Sequence, residues 1–488
     1  MSPIRATWPA VRLRLPTAVS PIGLRCASHS DEQRGFRVLC VKKLGNILGI
    51  SLFFRPQHAS GWGEFRESDL HALGYLHVPW VGFYLSDDAN RVMQCGSGCI
   101  IYTSVVFPPR RAFRGNSMRL LGLIPEPPFH PRSWSGSSAN FFGTLRDEGL
   151  LADAKNVQLH RIRERVEMLR KVSWPLERWK ERYRASVPRF RALTDIARVE
   201  IECSKDITGV MQVGAWFSSG SVTTLPCFSY HDANAALGYR NYGRGLLSER
   251  QQRDHLRWES DVYAKLRGIF VMSSWLASSF MTDFGVPANK LNVVGAGINR
   301  GALPSLSDRD FSLARFLFVG RDFERKGGQF LLKAFAEVRK LVPHAELSIV
   351  GPSLKLEQEG VKCLGFLSLA HPEHVAQLNE LFRSATAVVL PSVYEPFGIS
   401  LLEGMAFGLP CIAADRCAMP EIVQHRKTGL IVAAEDVSSL AEAMLELARN
   451  PRDASAMGIA GRRRVETEFT WVAVAKKIGV VLSDGFGM

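Results

Sequence analysis

The distribution of apolar and polar positions divides the chain after residue 117. From Met118 onward, short apolar runs typical of buried strands alternate with amphipathic segments typical of helices. The helical pattern is clearest in residues 326–341, where apolar side chains recur every three or four positions on one face. Such alternation predicts an α/β protein whose parallel sheets are covered by helices on both faces.

The alternation forms two blocks, separated by the polar stretch NRGALPSLSDRD at residues 299–310. We therefore predict two doubly wound, Rossmann-like domains that face a cleft, residues 118–305 and residues 306–470. After the strand PCIAA (410–414) we expect two further strand-helix units. Residues 471–488 are predicted to end in a helix that packs back towards the first domain.

Residues 1–117 show weak periodicity with several Gly and Pro interruptions, which predicts an N-terminal extension of poorly defined structure. Residues 1–30 contain four arginines and no acidic residue, a composition found in transit peptides. The alternative is an extension without a role in the fold, with the functional chain beginning at or near Met118. We favour this alternative because the transit signature is compositional only.

The composition is that of an ordinary globular protein, with 46% hydrophobic and 22% charged residues in a chain of 488. No apolar run approaches the roughly 18 residues that span a bilayer. The net charge of +14 favours an acidic partner, which could be nucleic acid, an anionic membrane or a phosphate-bearing small molecule. Half of this excess, +7, lies in residues 1–117, so residues 118–488 are only mildly basic.

Residues 155–198 are basic and helical in pattern, with Trp174, Trp179 and Tyr183 among them. Such a face can lie on an anionic membrane, so peripheral contact at the inner face of the membrane is one hypothesis. A solvated face backed by core contacts is the alternative and the commoner arrangement. Nine scattered cysteines, without two pairs at zinc-site spacing, predict reduced thiols and a cytoplasmic localisation.

Two cations follow the predicted strand RFLFVG in the motif FVGRDFERKGG. Arg321 comes directly after the strand and Lys326 opens the next helix. Ligands of open α/β sheets bind outside the carboxyl ends of the strands. An arginine fork and a lysine point charge at that place suit a diphosphate. The alternative is a pair of solvated charges in a polar loop.

Two glutamates eight positions apart flank a Pro-Phe-Gly turn in LPSVYEPFGISLLEGMAFGLPCI (390–412). The helix after the turn begins with free backbone N–H groups and a positive dipole end, which together form an anion site. Glu395, before the turn, is placed to accept hydrogen bonds from sugar hydroxyls, and Glu403, inside the helix, to reach a ribose. The alternative is a turn acid and a surface glutamate that share no ligand.

Together these motifs resemble the family 4 glycosyltransferases, retaining enzymes with the two-domain GT-B fold. The resemblance is closest over residues 313–450, where the EPFG turn and the Glu-x7-Glu spacing form a specific signature. The first domain matches more loosely, through SWSGSSANFF, SYHDAN and IFVMSSW, and it has VVGAGIN where the family often has Pro-Asn-Gly. The first 117 residues are not covered.

The resemblance implies roles for the charged residues. Arg321 and Lys326 would hold the donor diphosphate and stabilise the negative charge that builds up on the leaving nucleotide. Glu395 would contact hydroxyls of the transferred sugar, and Glu403 would bind the nucleotide ribose.

The resemblance also implies roles for five residues near the turns. The backbone of Phe397, Gly398 and Ile399 would lie near sugar and phosphate. Gly136, in the loop after the first strand of the first domain, would let the backbone approach the donor phosphates. His231 would line the acceptor side near the anomeric carbon, although a single histidine at this position is alternatively structural.

The predicted function is a retaining, metal-independent glycosyltransferase that moves a hexose from a UDP- or GDP-linked sugar to a hydroxyl-bearing glycan, lipid or small molecule. We expect no cofactor, because the nucleotide sugar is a co-substrate and its leaving group mainly needs charge stabilisation. Alternatives with the same fold are a nucleotide-sugar epimerase and a phosphorylase-like enzyme. The alternative from another class is a basic nucleic-acid-binding protein, although we expect no nucleic-acid partner.

Overall fold

Besides five short strands nearer the N-terminus, the computed structural model describes residues 118–169, 172, 176–241, 247–300, 303–306 and 309–484. The chain divides into two compact units, Met1–Ala112 and Phe113–Met488.

The first unit holds the five short strands. They are β1 (Phe36–Val38), β2 (Phe54–Pro56), β3 (Phe83–Tyr84), β4 (Arg91–Gln94) and β5 (Ile100–Thr103). Strands β1 and β2 pair antiparallel, and β3, β4 and β5 form an antiparallel sheet. The rest of residues 1–117 lies outside the described part of the chain, and so does the hypothesis of an extension or a transit peptide.

The second unit begins with a six-stranded parallel sheet. Its strands are β6 (Leu120–Ile124), β7 (Leu151–Asn156), β8 (Gly209–Val213), β9 (Cys227–His231), β10 (Gly268–Val271) and β11 (Leu291–Val293). Their order is β11-β10-β9-β8-β6-β7, so the chain runs outward from β6 first to β7 and then, on the other side, to β8. Doubly wound sheets bind ligands where the strand order reverses in this way, outside the carboxyl ends of the strands.

Helices cover both faces of this first sheet. They are α1 (Ser137–Asp147), α2 (Arg161–Leu169), α3 (Leu176–Arg184), α4 (Val187–Cys203), α5 (Ala235–Asn241), α6 (Glu249–Lys265) and α7 (Ser274–Phe284). Alternate residues of β6 enter different apolar clusters: Leu120 joins Phe141 of α1, and Leu121 joins Leu193 of α4. All five residues of β6 are therefore buried, as expected of a central parallel strand.

A second six-stranded parallel sheet follows. Its strands are β12 (Arg315–Val319), β13 (Glu346–Val350), β14 (Val361–Gly365), β15 (Ala387–Leu390), β16 (Cys411–Ala414) and β17 (Gly429–Val432). The strand order β14-β13-β12-β15-β16-β17 again reverses direction, here between β12 and β15. The predicted architecture of two doubly wound parallel sheets is confirmed.

The helices of the second sheet are α8 (Gly328–Leu341), α9 (Pro372–Ser384), α10 (Ile399–Ala406), α11 (Met419–Ile422), α12 (Val437–Arg449) and α13 (Pro451–Glu468). The sequence predicts two strand-helix units after β16, and this is wrong. Among the described residues there is one further strand, β17, because residues 451–468 form α13, whose buried side chains Met457 and Val465 pack in the domain core.

The last helix, α14 (Trp471–Asp484), packs on the first sheet's helices. The Trp471 ring lies 5.8 Å from the Phe141 ring of α1 and 6.4 Å from the Tyr230 ring of β9. Just before α14, the carbonyl of Phe469 accepts a hydrogen bond from the backbone N–H of Ile298 at 3.2 Å. Residues that follow the second sheet thus contribute to the core of the first.

Candidate functional site

Loops at the carboxyl ends of the two sheets contact each other. The carboxylate of Glu421, in α11 after β16, accepts hydrogen bonds from the backbone N–H groups of Ser274 (2.8 Å) and Trp275 (2.6 Å). These N–H groups form the start of α7, where the helix dipole favours a negative charge. The Trp275 ring also lies 6.4 Å from the ring of Tyr394, which follows β15. The candidate residues of both sheets therefore surround one cleft.

Lys326 and Glu395 form an ion pair in this cleft. Strands β12 and β15 are neighbours, so the loops that follow them meet at the same edge of the sheet. There Lys326 Nζ lies 2.5 Å from Glu395 Oε2, and both side chains are largely buried. Arg325 Nη1 lies 3.6 Å from the same carboxylate oxygen and donates a hydrogen bond to the carbonyl of Tyr394 at 2.6 Å. The cluster holds a lysine and an arginine in fixed positions beside a carboxylate, which is suited to a charged polyol ligand.

Arg321 is not part of this ion pair. Its side chain is exposed, and its guanidinium lies over the ring of Phe366, 4.8 Å from the centroid. Phe366 follows β14, and 45% of its surface is exposed. The structure therefore places Arg321 at the same edge of the sheet as Lys326 but directs it towards the β14 side. Stacking of arginine on an aromatic ring leaves its N–H groups available for phosphate oxygens.

Helix α10 begins with features of an anion site. Gly398 caps the helix in the left-handed conformation, with φ of 81°, and supplies no side-chain cap to the first N–H groups. Ile399 begins the helix, and Ser400 in its first turn is buried with no hydrogen-bond partner for its hydroxyl among the described residues. The ring of Phe397 is buried against Phe469, so only its backbone remains for a ligand. Free backbone donors and an unpaired buried hydroxyl are what a phosphate group satisfies.

Glu403 lies inside α10 and is paired with a residue of the inter-sheet linker. Only 7% of its surface is exposed, and Arg300 Nε lies 3.5 Å from its Oε1. Burial raises the pKa of the Glu403 carboxyl, while the charges of Arg300 and Lys326 lower it. The guanidinium of Arg300 also lies about 5 Å from the ring centroids of Phe382 and Phe407, which stack on each other. A ligand that contacts Glu403 would therefore also meet Arg300.

The loop before α1 has an unusual backbone in the first domain. Trp134, Ser135 and Gly136 are all in the left-handed region, with φ of 45°, 56° and 91°. Glycine adopts this conformation freely, but the other two residues are strained in it. Asn299 of the linker holds the loop through hydrogen bonds from its Nδ2 to the carbonyl of Ser135 (3.1 Å) and the hydroxyl of Ser137 (3.0 Å). The start of α1 is thereby turned towards the cleft without a side-chain cap.

His231 does not line the cleft, so the expectation for this side chain is corrected. Only 2% of its surface is exposed, its Nε2 is 2.8 Å from the Ser229 hydroxyl, and its ring packs on Tyr263 and Phe280. Burial lowers its pKa to about 3, so the ring is neutral at physiological pH. Both faces of β9 are buried, and the alternation of the strand places His231 on the face that α6 and α7 cover.

Asp232, the next residue, is the acid that reaches the cleft. Its Oδ2 accepts a hydrogen bond from the indole N–H of Trp134 at 3.0 Å. Burial raises the pKa of Asp232, and the charge of Glu395, which belongs to the other sheet, raises it further. Two carboxylates, one from each domain, thus lie close enough to influence each other. Sequence reasoning missed Asp232, although its position just beyond the end of β9 was a signal.

Three further charged residues were missed by sequence reasoning. Arg325 stands inside the quoted motif FVGRDFERKGG and was a readable signal. Arg300, in the linker, and Glu421, after β16, act across the cleft, and no spacing in the sequence indicates their partners. Among the described residues, no group of three or more His, Cys, Asp or Glu side chains is arranged to hold a metal ion. In the same part of the chain, no helix combines the length and apolarity required to cross a membrane.

Residues 314–450, which contain the Lys326–Glu395 cluster and α10, match the family model of the glycosyl transferases group 1. The match covers less than a third of the chain. The two facing parallel sheets form a GT-B fold.

Individual relatives cover part of the chain. It is 29% identical over 244 residues to a glycogen synthase of Mycobacterium tuberculosis, a match that spans 45% of this chain and 58% of the relative. It is 30% identical over 235 residues to a GDP-mannose-dependent alpha-(1-6)-phosphatidylinositol monomannoside mannosyltransferase of the same species, spanning 42% and 59%. The chain thus covers just under three fifths of each relative's length.

The fold is similar to that of a solved structure, a sucrose-phosphate synthase from Thermosynechococcus elongatus. The TM-score is 0.57 at 19% sequence identity, and the match covers 74% of this chain and 98% of that one. At this identity the similarity concerns the fold and not the substrate.

Proposed function

We propose that this protein is a retaining, metal-independent glycosyltransferase. It transfers a hexose from a UDP- or GDP-linked sugar to a hydroxyl-bearing glycan, lipid or small molecule. The observation that carries the proposal is the buried Lys326–Glu395 pair beside the uncapped start of α10, inside the segment that matches the family. The name of one relative states a dependence on GDP-mannose, which supports a nucleotide sugar as donor.

The donor diphosphate would lie at the start of α10. There the backbone N–H groups after Phe397 and Gly398, with the hydroxyl of Ser400, would bind its oxygens. Lys326 would add its charge directly, and Arg321 would reach the same oxygens from its position on Phe366. These groups are in place before the reaction, so they would stabilise the negative charge of the departing nucleotide without reorganising.

The sugar and the ribose would lie on either side of the diphosphate. Glu395, oriented by Lys326, would accept hydrogen bonds from hydroxyls of the transferred hexose, and Glu403 with Arg300 would bind the ribose. From the first domain, the loop at Gly136 would approach the phosphates. Asp232, which sequence reasoning did not include, would face the hexose and the acceptor.

Retention of configuration follows if the acceptor hydroxyl attacks the anomeric carbon on the face that the nucleotide leaves. The new C–O bond then forms as the bond to the diphosphate breaks, and the hydroxyl proton passes to a phosphate oxygen of the leaving group. This route requires no protein nucleophile, unlike the two-carboxylate route of retaining hydrolases. We also place the protein in the cytoplasm, since every cysteine that the structure describes is a free thiol.

Thermal melting of the full chain with a panel of UDP-, GDP- and ADP-sugars tests the donor site. At a concentration 100-fold above Kd, the cognate donor should stabilise the protein by about 2.7 kcal/mol. Lys326→Ala should weaken donor binding at least tenfold, because it removes a largely buried charge next to the phosphates.

The control is Lys333→Ala, which removes an exposed lysine of α8 in the same domain. It should leave the donor-induced shift unchanged. The proposal fails if no nucleotide sugar raises the melting temperature of folded protein, or if both variants reduce the shift equally. Anomeric NMR of the product then tests retention, and transfer in the presence of EDTA tests metal independence.

A further inference from the structure

Helix α2 exposes an apolar face. Ile162, Val166 and Leu169 are spaced four and three residues apart, so they lie on one side of the helix, and 67%, 41% and 63% of their surfaces are exposed. Helices on the surface of a globular protein normally bury such a stripe against the core. Val172, three residues beyond the end of the helix, is also exposed. We refer to Ile162, Val166 and Leu169 as the α2 patch.

The acidic residues of α2 lie on the opposite side, towards the protein. Glu164 Oε1 lies 3.5 Å from Nε of Arg189, in the first turn of α4. Burial raises the pKa of Tyr183 in α3, and the nearby charges of Glu164 and Glu167 raise it further. The helix is therefore attached through its polar side, which turns the α2 patch outward. In an ordinary surface helix the apolar side faces the core and the polar side faces solvent, so the orientation of α2 is reversed.

Positive charge surrounds the patch. Arg163 and Arg165 stand on its two flanks and are exposed. Residues 161–191 contain 11 Lys and Arg against 4 Asp and Glu, a net charge of +7. Residues 118–488 as a whole also carry +7, with 47 basic and 40 acidic residues, so the rest of this part of the chain is neutral. The excess basic charge of residues 118–488 thus lies in the same stretch of sequence as the exposed apolar face of α2.

An anionic bilayer surface satisfies both properties of this region. Its headgroups attract the arginines, and its acyl boundary accepts the aliphatic side chains. A nucleic acid would engage the arginines but offers no comparable site for isoleucine, valine and leucine, because bases stack mainly on aromatic rings. Helix α2 also begins after the carboxyl end of β7, on the side of the sheet where the cleft lies.

From these observations we propose that α2 docks on the surface of an anionic lipid bilayer, with the α2 patch inserted at the headgroup boundary and Arg163 and Arg165 against the headgroups. The cleft would then open close to the membrane. This contact is independent of the transfer reaction, so the donor-binding experiment and the membrane experiment can fail separately.

Co-sedimentation of the full chain with vesicles tests the proposal. One vesicle type contains equal parts of phosphatidylglycerol and phosphatidylcholine, and the other contains phosphatidylcholine alone. The protein should bind the anionic vesicles at least tenfold more tightly. Because residues 1–117 are also basic, the decisive comparison is between variants. The double variant Val166→Glu, Leu169→Glu should bind the anionic vesicles at least tenfold more weakly than the wild type.

Matched controls separate the patch from general effects. The variant Leu341→Glu with Val480→Glu changes two apolar residues of other helices that are 59% and 58% exposed. It should alter binding less than twofold. Arg163→Glu with Arg165→Glu should weaken binding, whereas Arg452→Glu with Arg463→Glu, exposed on α13, should weaken it less. Melting curves confirm that each variant is folded.

The proposal is overturned if the wild type does not bind anionic vesicles or if the α2 variant binds them as the wild type does. Equal losses in the α2 variant and in its control would also overturn it. Binding to RNA that is lost in the arginine variant but kept in the Val166, Leu169 variant would identify a nucleic acid as the partner instead. Self-association that only the α2 variant abolishes would identify a second copy of the chain.

Discussion

Asp232 and His231 are neighbours in the chain but occupy opposite environments. The ring of His231 is enclosed by Tyr263 and Phe280, and burial keeps it neutral with a pKa of about 3. Asp232, one residue further, lies past the end of β9, where it contacts Trp134 and is influenced by Glu395 of the other sheet. His231 is the last residue of β9 and Asp232 is the first residue beyond it. This difference of one position places Asp232, and not His231, where a ligand could bind.

At the residue scale we predict that Asp232→Asn reduces kcat/KM for sugar transfer by 10- to 100-fold, about 1.4 to 2.7 kcal/mol. The carboxylate faces the cleft where the hexose and the acceptor would lie, whereas the nucleotide would bind in the second domain. Donor affinity, measured by thermal shift, should therefore change less than threefold. Initial rates, measured with the nucleotide sugar that stabilises the protein in the thermal-melting panel, provide the measurement.

Asp195→Asn makes the same substitution at an exposed position of α4 and serves as the control. It should leave kcat/KM and donor affinity unchanged. If Asp232→Asn transfers sugar as fast as the wild type, Asp232 has no part in the reaction. If donor affinity and rate fall together by the same factor, the carboxylate contributes to donor binding instead.

At the scale of elements, α5 receives its N-terminal cap from another helix. Glu259 of α6 accepts a hydrogen bond from the backbone N–H of Ala235 at 3.0 Å, and it is buried among His255, Tyr239 and Tyr263. Burial raises the pKa of Glu259 to about 7, although the hydrogen bonds from Ala235 and Tyr263 oppose this rise. The cap therefore couples the packing of α5 and α6 to pH.

This coupling has a definite sign. Between pH 4.5 and 7 the folded chain keeps a proton on Glu259 that the unfolded chain releases, so the free energy of unfolding falls as pH rises. Over this window the contribution amounts to about 3 kcal/mol. Glu259→Gln should remove this pH dependence. The free energy of unfolding of the variant relative to that of the wild type, measured in urea, should therefore rise between pH 5 and pH 8.

Glu442→Gln, at an exposed position of α12, is the control for this experiment and should follow the wild type at both pH values. A Glu259→Gln variant whose stability relative to the wild type is the same at pH 5 and pH 8 would contradict the assignment.

Periodicity identified the elements well where it was regular. The helix predicted at 326–341 is α8, Gly328–Leu341, because Leu331, Phe335 and Val338 recur on the face that packs in the core. The prediction of a second strand-helix unit after β16 is wrong, because helix α12 is followed directly by another helix, α13. The reversed orientation of α2 was not predictable either, since its apolar positions follow the same period as those of a buried helix.

At the scale of the whole molecule, Glu421 connects the two sheets. Its carboxylate accepts hydrogen bonds from two backbone N–H groups at the start of α7. Glu421→Ala should therefore destabilise this contact between the two sheets, the closed arrangement of the cleft, by about 1 to 3 kcal/mol. If the two sheets exchange between a closed and an open arrangement, the population should shift towards the open one. Small-angle X-ray scattering without donor should show a larger radius of gyration than for the wild type.

Asp436→Ala tests whether any lost helix cap has this effect. Asp436 accepts hydrogen bonds from Ser438 and Ser439 at the start of α12, entirely within the second domain. This variant should lower the melting temperature without changing the radius of gyration. An unchanged radius for Glu421→Ala would show that the contact does not hold the cleft closed.

The sequence by itself determined the two doubly wound sheets, the loops that carry Arg321, Lys326 and Glu395, and the turn before α10. These features depend on local periodicity and on the rule that ligands bind at the carboxyl ends of parallel strands. The pairing of β12 with β15, which the structure shows, then brings Lys326 and Glu395 together.

Only the tertiary structure decided which charges face each other across the cleft. The pairs Arg300–Glu403 and Glu421–α7, and the approach of Asp232 to Glu395, join residues more than 90 positions apart. It also decided that His231 is buried and that α2 turns its apolar side outward. The physical reason is the same in each case: local sequence sets the faces of a strand or helix, but packing against distant elements sets which face is covered.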